Sequence, residues 1–528
     1  MNCFEVNCFD VCIVGFGPTG ATLANLLARS GHSVVIVDRL AGVYDKPRAI
    51  HVDHEVMRIF QQIGVVEQVL PHVRPYPASE YLGVDGEVIK RLDTAPPPYP
   101  HGYAPNLSLL QPPVEEILRN RAEAAASTTL RLGHEVVAIE QDADGAVVRT
   151  ETEAGPEALR ARFVVGCDGA NSTVRRLMGI RLDDLGFDEP WLVVDILVDD
   201  EAAMARLPAV NVQYCEPARP STHVVGVGNH RRWEIMLLPD EDPAEAASEE
   251  GVWRHLARWI DPSEARLWRS ATYRFHALVA HEWRKGHVLL AGDSAHQQPP
   301  FLGQGMCQGV RDAANLAWKL DLVLKGAASE ALLDSYGAER AEHVRKLTTI
   351  IKGLGKFICE RDVGAARKRD ALLIAEMGGA VKTAYREDMM PRLDRGAVAA
   401  SDSTVVGSLF PQPRLADGRL MDEATGTGFR LIASPAVSDA ALHRLDRPVG
   451  MAVVRIGKGT GGDGGGVLDL AEADTLIADW FARTGAVAAI VRPDHYVYGL
   501  VRNEAELPAL VQGLAAKLSL LQTERHPA

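Results

Sequence analysis

The seven cysteines, at positions 3, 8, 12, 167, 215, 307 and 359, form no Cys-x-x-Cys pair. That excludes a zinc ribbon and a dithiol redox centre. It leaves scattered thiols that behave as small buried hydrophobes, with Cys3 and Cys8 expected at the surface. No apolar run approaches the roughly 20 residues that cross a bilayer. A basic leader is missing too. The apolar run Val11-Cys12-Ile13-Val14 flows into a glycine loop, as a buried strand does, so a cytoplasmic protein is expected. Positive charge is in deficit, with 56 Lys and Arg against 70 Asp and Glu and a net charge of −14. This balance argues against nucleic acid as a partner, because a phosphate backbone rewards a basic face. A small anionic substrate met by a few local arginines stays open. No internal repeat is present.

A chain of 528 residues is too long for one core and implies two or three domains. Residues 10–14 read as a short apolar strand, 15–20 as a glycine turn, and 21–30 as a helix closed by Gly31. Residues 33–37 (SVVIV) have the character of a parallel strand buried on both faces, and Asp38 ends it. A helix is expected over 115–126, then a hairpin over 130–142 and 145–152 turning at Asp144-Gly145. Another buried strand, 161–167, leads into Asp168-Gly169. From about 188 to 277 the pattern changes to an antiparallel lobe with strands at 191–198, 210–216, 222–228 and 233–238. Residues 288–291 form one more short buried strand, ending at Gly292-Asp293. Helices follow over 312–324 and 332–356 and on to about 390, then a small, polar linker over 394–407. The tail mixes strands (451–456, 487–491, 497–501) with helices (475–484, 507–520). Its run 457–466 (GKGTGGDGGG) lacks the setting of a phosphate loop and reads as a flexible surface loop.

Three segments carry the chemistry. Gly15-x-Gly17-x-x-Gly20 follows a strand and opens a helix. Gly15 permits the tight turn, Gly17 lets backbone approach a pyrophosphate, and Gly20 lets the helix pack close to the strand. Asp38, at the end of the second strand, is placed to accept hydrogen bonds from an adenosine ribose. Alone, this block does not separate NAD from FAD. Asp168-Gly169 and Gly292-Asp293 each terminate an apolar strand, as suits a dinucleotide lying across the carboxyl edge of a sheet. Further on, in Pro299-Pro300-Phe301-Leu302-Gly303-Gln304-Gly305-Met306, Gly303 and Gly305 leave N–H groups uncovered at a helix start, for an anion or an electron-rich ring edge.

Together the three blocks resemble the flavoprotein aromatic hydroxylases of the para-hydroxybenzoate hydroxylase type, over about residues 8–360. The telling segments are the first glycine loop, DGANSTVRRLMGI from Asp168, and LLAGDSAHQQPPFLGQGMCQGVRDAANLAWKL from Leu289. The resemblance implies FAD as cofactor and NADH or NADPH as donor without a dedicated domain. It places Gly15, Gly17, Pro18, Thr19, Gly20, Asp38, Arg39, Asp168, Gly292, Asp293, Pro300, Gly303, Gly305 and Met306 at the cofactor. It also matches Arg48 to an arginine near the flavin and Gln111 to an FAD-contacting glutamine. Within the family the chain is most similar to the 3-(3-hydroxyphenyl)propionate hydroxylase group, through QYCEPARP from Gln213, RRWE from Arg231 and YRFHA from Tyr273. The tail resembles the thioredoxin-like domain of larger phenol and polyketide hydroxylases. It has no cysteine, so a packing or dimerisation role is expected, with a homodimer among the assemblies that allows.

The implied fold is α/β: a Rossmann-like FAD-binding domain over 1–187 and 278–395, an antiparallel substrate lobe over 188–277, and a thioredoxin-like C-terminal domain over 408–528. The implied reaction is ring hydroxylation of a phenol by a flavin C4a-hydroperoxide, formed from NAD(P)H and O2, with a 3-hydroxyphenylpropionate-like or related small aromatic as substrate. A phenol reacts faster deprotonated, so a base or relay near its oxygen is expected. Tyr214 and His276, with Arg48, are the candidates for catalysis. Gln213, Tyr214, His223, Trp233 and Met236 are the candidate pocket residues, although pleat alternation lets only one face of each strand line it. Arg219 is a candidate for pairing with a substrate carboxylate. No metal is expected. A polyketide-tailoring hydroxylase and a non-catalytic FAD-binding protein remain as alternatives.

Overall fold

Val11, Cys12 and Ile13, with Val34, Val35, Ile36 and Val37, are all fully buried, as strands covered on both faces must be. They lie in the strands Cys8–Val14 and Val34–Asp38, which pair in parallel at the centre of an eight-stranded sheet. Gly155–Gly166 and Val288–Leu290 extend it in parallel on one side, and Thr128–Leu132 on the other. The computed structural model describes residues 8–457 and 466–518. Most of the glycine-rich loop expected at 457–466, the last residues of the expected terminal helix and Cys3 lie outside them.

Helix Pro18–Arg29 starts at Pro18, inside the glycine turn, because proline fits the first helical position, where its missing N–H costs nothing. Helix Gln111–Glu123 likewise begins earlier than its apolar pattern suggests, with prolines in its first turn. The strand expected over 130–142 is two strands. Gly133, at φ +73°, breaks it, so that Thr128–Leu132 stays in the parallel sheet. Glu135–Gln141 turns away to pair with Ala146–Thr152.

The lobe is a nine-stranded sheet. Its centre is the antiparallel series Ala265–Ala280, Leu182–Val198, His230–Met236, Ser221–Val225 and Asn211–Tyr214. It also recruits Ser79–Leu82, Val88–Asp93 and Thr383–Tyr385 from outside residues 188–277. Ser79–Leu82 pairs in parallel with Asn211–Tyr214, a contact between distant segments that no local pattern announces. Residues 394–407 are not a loose linker. Ala397 and Val398 are buried, Ala397 N donates to Glu339 Oε1 at 2.6 Å, and Ala399 N donates to Tyr498 O at 2.8 Å.

The C-terminal unit is a five-stranded sheet in the order Val467–Leu470, Ala452–Ile456, Arg430–Ala433, Ala488–Val491, Val497–Val501. Its first three strands are parallel and its last two antiparallel. Buried charge joins it to the nucleotide-binding part. Arg58, on helix His54–Ile63, donates to both carboxylate oxygens of Asp422 at 2.6 and 3.0 Å, and Arg430 also bonds Asp422. A second knot forms where Glu339 accepts from Arg492 at 2.7 Å and Asn315 at 2.6 Å, with Lys319 Nζ 2.9 Å away. Burial works against both carboxylates. The neighbouring cations outweigh it, holding Glu339 at about 2 and Asp422 far below the ordinary carboxylate range.

Replacing Asp422 by Asn leaves Arg58 and Arg430 buried without a counter-charge, at a cost of about 3–5 kcal/mol. Thermal unfolding at pH 7 should show that loss. The folded pKa of Asp422 is depressed, so its contribution is complete above roughly pH 4 and fades as pH falls further. The gap between wild type and Asp422→Asn should therefore narrow below pH 4. A gap that stays constant down to pH 3 would show that the carboxylate charge is not what holds the units together.

Candidate active site

A cleft of about 430 Å³ runs along the carboxyl ends of the parallel strands and on beneath the lobe sheet. Two helices begin on it: Pro18–Arg29, at Gly17-Pro18-Thr19, and Gly305–Leu324, at Gly305-Met306. The first N–H groups of a helix have no partner within it and carry its partial positive charge. Both ends therefore present bare donors to one elongated space, as an anion or a ring carbonyl requires.

The glycines divide by role. A Cβ on Gly17 or Gly305 would touch no protein atom within 4 Å, so these two positions are bare toward the cleft. Gly15 lines the cleft at φ +104°, and a Cβ there would lie 2.4 Å from Cys167 O. Gly20 and Gly292 do not line it: for Gly20 this is the helix-packing role read from the motif, and for Gly292 it departs from the cofactor contact that the resemblance implies. A Cβ on Gly20 would sit 2.0 Å from Gly15 O, and one on Gly292 2.7 Å from Thr19 Oγ1. Both let the first helix nest against strand ends, which is packing rather than contact with a ligand.

Pro18, Thr19, Asp38, Arg39, Arg48, Gln111, Asp168, Asp293, Pro300, Gly303 and Met306 all line the cleft. Asp38 accepts from Phe16 N at 2.7 Å and Leu40 N at 2.8 Å, which fixes its carboxylate beside the glycine turn. Asp168 accepts from Ser172 Oγ at 2.5 Å and from Thr173 N and Val174 N at 2.7 and 3.0 Å, so it closes its own loop. Gln111 Oε1 accepts from Arg48 N at 2.9 Å and Ala49 N at 2.5 Å. The glutamine thus holds the loop that carries Arg48, whose side chain is exposed on the rim of the cleft.

Under the lobe, pleating decides which residues face in. Gln213, Thr222 and Glu234 are register partners on three adjacent strands and all line the cleft. Thr222 Oγ1 donates to Gln213 Oε1 at 2.6 Å, which leaves the amide nitrogen of Gln213 available to the cleft. Val224 and Arg232 form the next row. The residues between them point the other way, which corrects three expected pocket residues. Trp233 is in the core behind the sheet, with His223 tilted against it at 4.7 Å. Tyr214 accepts from Trp259 Nε1 at 3.1 Å in that same layer. Met236 shares the inward face but lies beside its strand partner Trp191 and does not line the cleft. Arg219 is engaged by Glu241, at 2.5 and 2.9 Å, and is not free for a substrate carboxylate. His276 lies beside Asp188, 3.4 Å away, on the strand Ala265–Ala280. Tyr214 and His276 therefore form no relay, and neither lines the cleft.

What sequence reading missed is a buried charge cluster. Asp195, fully buried, accepts from His230 Nε2 at 2.8 Å, Arg232 Nε at 2.7 Å and Arg269 at 3.3 Å. Burial would raise its pKa, but Arg232 and His230 hold it at about 2. Arg232 in turn donates to Arg48 O at 2.8 Å and Pro47 O at 3.0 Å, and Arg269 donates to Pro47 O at 3.1 Å. The loop that carries Arg48 is thus gripped by Gln111 on one side and by the lobe on the other. Glu234 is buried nearby. Desolvation raises its pKa to about 7, against the pull of Arg232 and Arg269 and with a smaller push from Asp195.

These features fit a long nucleotide cofactor: the first helix end would hold its diphosphate and the second its ring edge. The FAD binding domain family matches residues 8–350, and the HcaD C-terminal domain family matches 407–517. A probable NADH-specific resorcinol 4-hydroxylase of Rhodococcus jostii (strain RHA1) is 38% identical over 98% of this chain and 97% of its own length. A 3-(3-hydroxy-phenyl)propionate/3-hydroxycinnamic acid hydroxylase of Mycobacterium sp. (strain JLS) is 34% identical over 93% of this chain and 89% of its own. The solved structure of the flavin-dependent monooxygenase PieE with FAD and substrate superposes with a TM-score of 0.78, covering 97% of this chain and 99% of that one. At 24% identity, that match speaks for the fold alone.

The chain belongs to the FAD-binding flavoprotein monooxygenases. It is an aromatic-ring hydroxylase that uses FAD and NAD(P)H. When bound, FAD supplies the reduction of O2 and the transfer of one oxygen atom to the ring.

Gly17→Asp places a carboxylate in the open space before the first helix. The purified variant should be colourless, while its apo form unfolds at the temperature of wild-type apoprotein, since no protein atom is displaced. A yellow variant would put the diphosphate elsewhere.

Proposed function

We propose that the substrate is a small, uncharged phenol of the resorcinol kind, with NADH as donor. The observation that carries this reading is the charge of the chamber beneath the lobe. Its wall presents Gln213, Thr222 and Glu234, a donor, a hydroxyl and a carboxyl group. Arg232, the arginine of that wall, is taken up by Asp195 and the loop carbonyls. Among the other arginines of the cleft, Arg119 pairs with Glu115 at 2.9 Å, and Arg39 and Arg48 are exposed on the rim. A ring bearing hydroxyls finds partners in this chamber, whereas an aryl carboxylate meets Glu234 and finds the arginines beside it, Arg232 and Arg269, already held on Asp195. The 38% identity to a relative named for resorcinol points the same way, and that name also motivates NADH.

The protein's own part is to bind and orient the ring and to exclude water from it. The lobe sheet covers the ring, Gln213 and Thr222 set its in-plane rotation, and Phe301 with Pro300 closes the chamber from below. The grip on the Pro47-Arg48 loop keeps the floor and the lobe in register. Two further readings belong to this proposal. The C-terminal unit is thioredoxin-like, on the strand order of its sheet, and serves packing or dimer formation rather than redox chemistry. The protein works in the cytoplasm.

Purified protein with FAD should oxidise NADH faster when resorcinol is added, with one oxygen entering the ring by mass spectrometry. The kcat/KM for resorcinol should exceed that for 3-(3-hydroxyphenyl)propionate. A preference for the propionate would overturn the charge argument and leave the hydroxylase class intact.

A further inference from the structure

The geometry points to Glu234 as the base that accepts the phenolic proton, with Gln213 reading a second ring hydroxyl beside it. This rests on the reading of the cleft as a phenol hydroxylase site and names the residue that would drive it. Glu234 lies on the inward face of the strand His230–Met236, buried, and lines the chamber. Its cross-strand partner is Thr222, whose own partner is Gln213, so the three groups form one row across the sheet. Adjacent strands lie about 4.8 Å apart, so Glu234 and Gln213, two strands apart, are separated by roughly 10 Å at the backbone, a distance that two meta hydroxyls with a hydrogen bond at each end can span. Thr222 donates to the Gln213 carbonyl at 2.6 Å, which turns the amide N–H toward the chamber. One end of the row is then an acceptor and the other a donor.

The groups facing Glu234 are Arg232 on its own strand, Asp195 on the adjoining strand Leu182–Val198, Arg269 one strand further out on Ala265–Ala280, and Tyr76, which also lines the chamber. Arg232 and Arg269 are both held on Asp195, so their charge reaches Glu234 reduced. Burial then places the carboxyl near 7, where half of it is ionised at neutral pH. A base is most effective when its pKa lies near the working pH. In the step itself, the phenol O–H bond breaks, the proton passes to a Glu234 carboxylate oxygen, and the electron pair stays on the ring oxygen. No oxidant or reductant takes part. The ring is thereby made electron-rich at the position it presents to the cofactor.

The test uses FAD-loaded wild type, Glu234→Gln and Glu234→Asp with resorcinol, whose own hydroxyls stay protonated below about pH 9. Two quantities are read between pH 5.5 and 8.5. One is kcat/KM for ring hydroxylation, and the other is Kd from the perturbation of the oxidised flavin spectrum. Wild type should lose kcat/KM on the acid side with a midpoint near 7, and its Kd should change across the same range. Glu234→Gln should hydroxylate on the order of 10²-fold or more slowly, without the acid limb and with a flat Kd, while keeping its FAD and its reduction by NADH. Glu234→Asp should recover part of the rate together with the pH dependence. A Glu234→Gln enzyme that hydroxylates at the wild-type rate with the acid limb intact overturns the assignment. Should that variant fail to fold, a wild-type Kd with no midpoint between pH 6 and 8 overturns it equally. A wild type that hydroxylates no phenol defeats the functional reading instead, so the two failures are distinct.

Discussion

The site depends on one buried carboxylate. Asp195 is ionised inside the lobe sheet, and it stays so because Arg232, Arg269 and His230 converge on it. An ionised carboxylate in that setting is very costly without partners, so it fixes the positions of the cations that solvate it. Arg232 and Arg269 use their remaining donors on the carbonyls of Pro47 and Arg48. The lobe is thereby tied to the floor of the cleft through a chain of charge-assisted hydrogen bonds. The same cluster sets the field at Glu234, so positioning and acid–base chemistry share one origin.

A similar logic joins the C-terminal unit to the rest. Asp422 and Glu339 are each surrounded by cations from both sides of a boundary, and neither arginine cluster can be exposed without leaving a charge unpaired. The segment 394–407 is held by hydrogen bonds to Glu339 and Tyr498, which makes the boundary a packed seam. The seam lies close to the loop that carries Gly303 and Gln304. A second cavity of about 280 Å³ reaches from Gln304, in that loop, to Ser408 and Tyr496.

Much of the cofactor end was legible in the sequence, because its geometry follows from local backbone rules. A glycine turn between a buried strand and a helix has few shapes, and it puts bare N–H groups at the strand end whatever surrounds it. Gly15, Gly17, Gly303 and Gly305 all line the cleft. Gly20 has the helix-packing role read for it, whereas Gly292, expected at the cofactor, also serves packing, against Thr19. The substrate end was far less legible. Period-two alternation says that Tyr214 and Gln213, or Trp233 and Glu234, face opposite ways, but not which of each pair faces in. Tyr214, His223 and Trp233 drew attention as aromatic or titratable groups, and they form the layer behind the sheet.

The sequence by itself therefore determined the glycine loops, the buried strands that feed them and the class of long cofactor they suit, because each follows from local pattern: an apolar run, a glycine turn and a helix start in order. Only the tertiary structure decided which face of the lobe lines the cleft, that Arg219 is occupied by Glu241, and that Arg232 bridges Asp195 to the carbonyls of Pro47 and Arg48. Those outcomes come from register and burial between segments far apart in the chain, where the cost of an unpaired charge selects the arrangement and no local pattern carries the information.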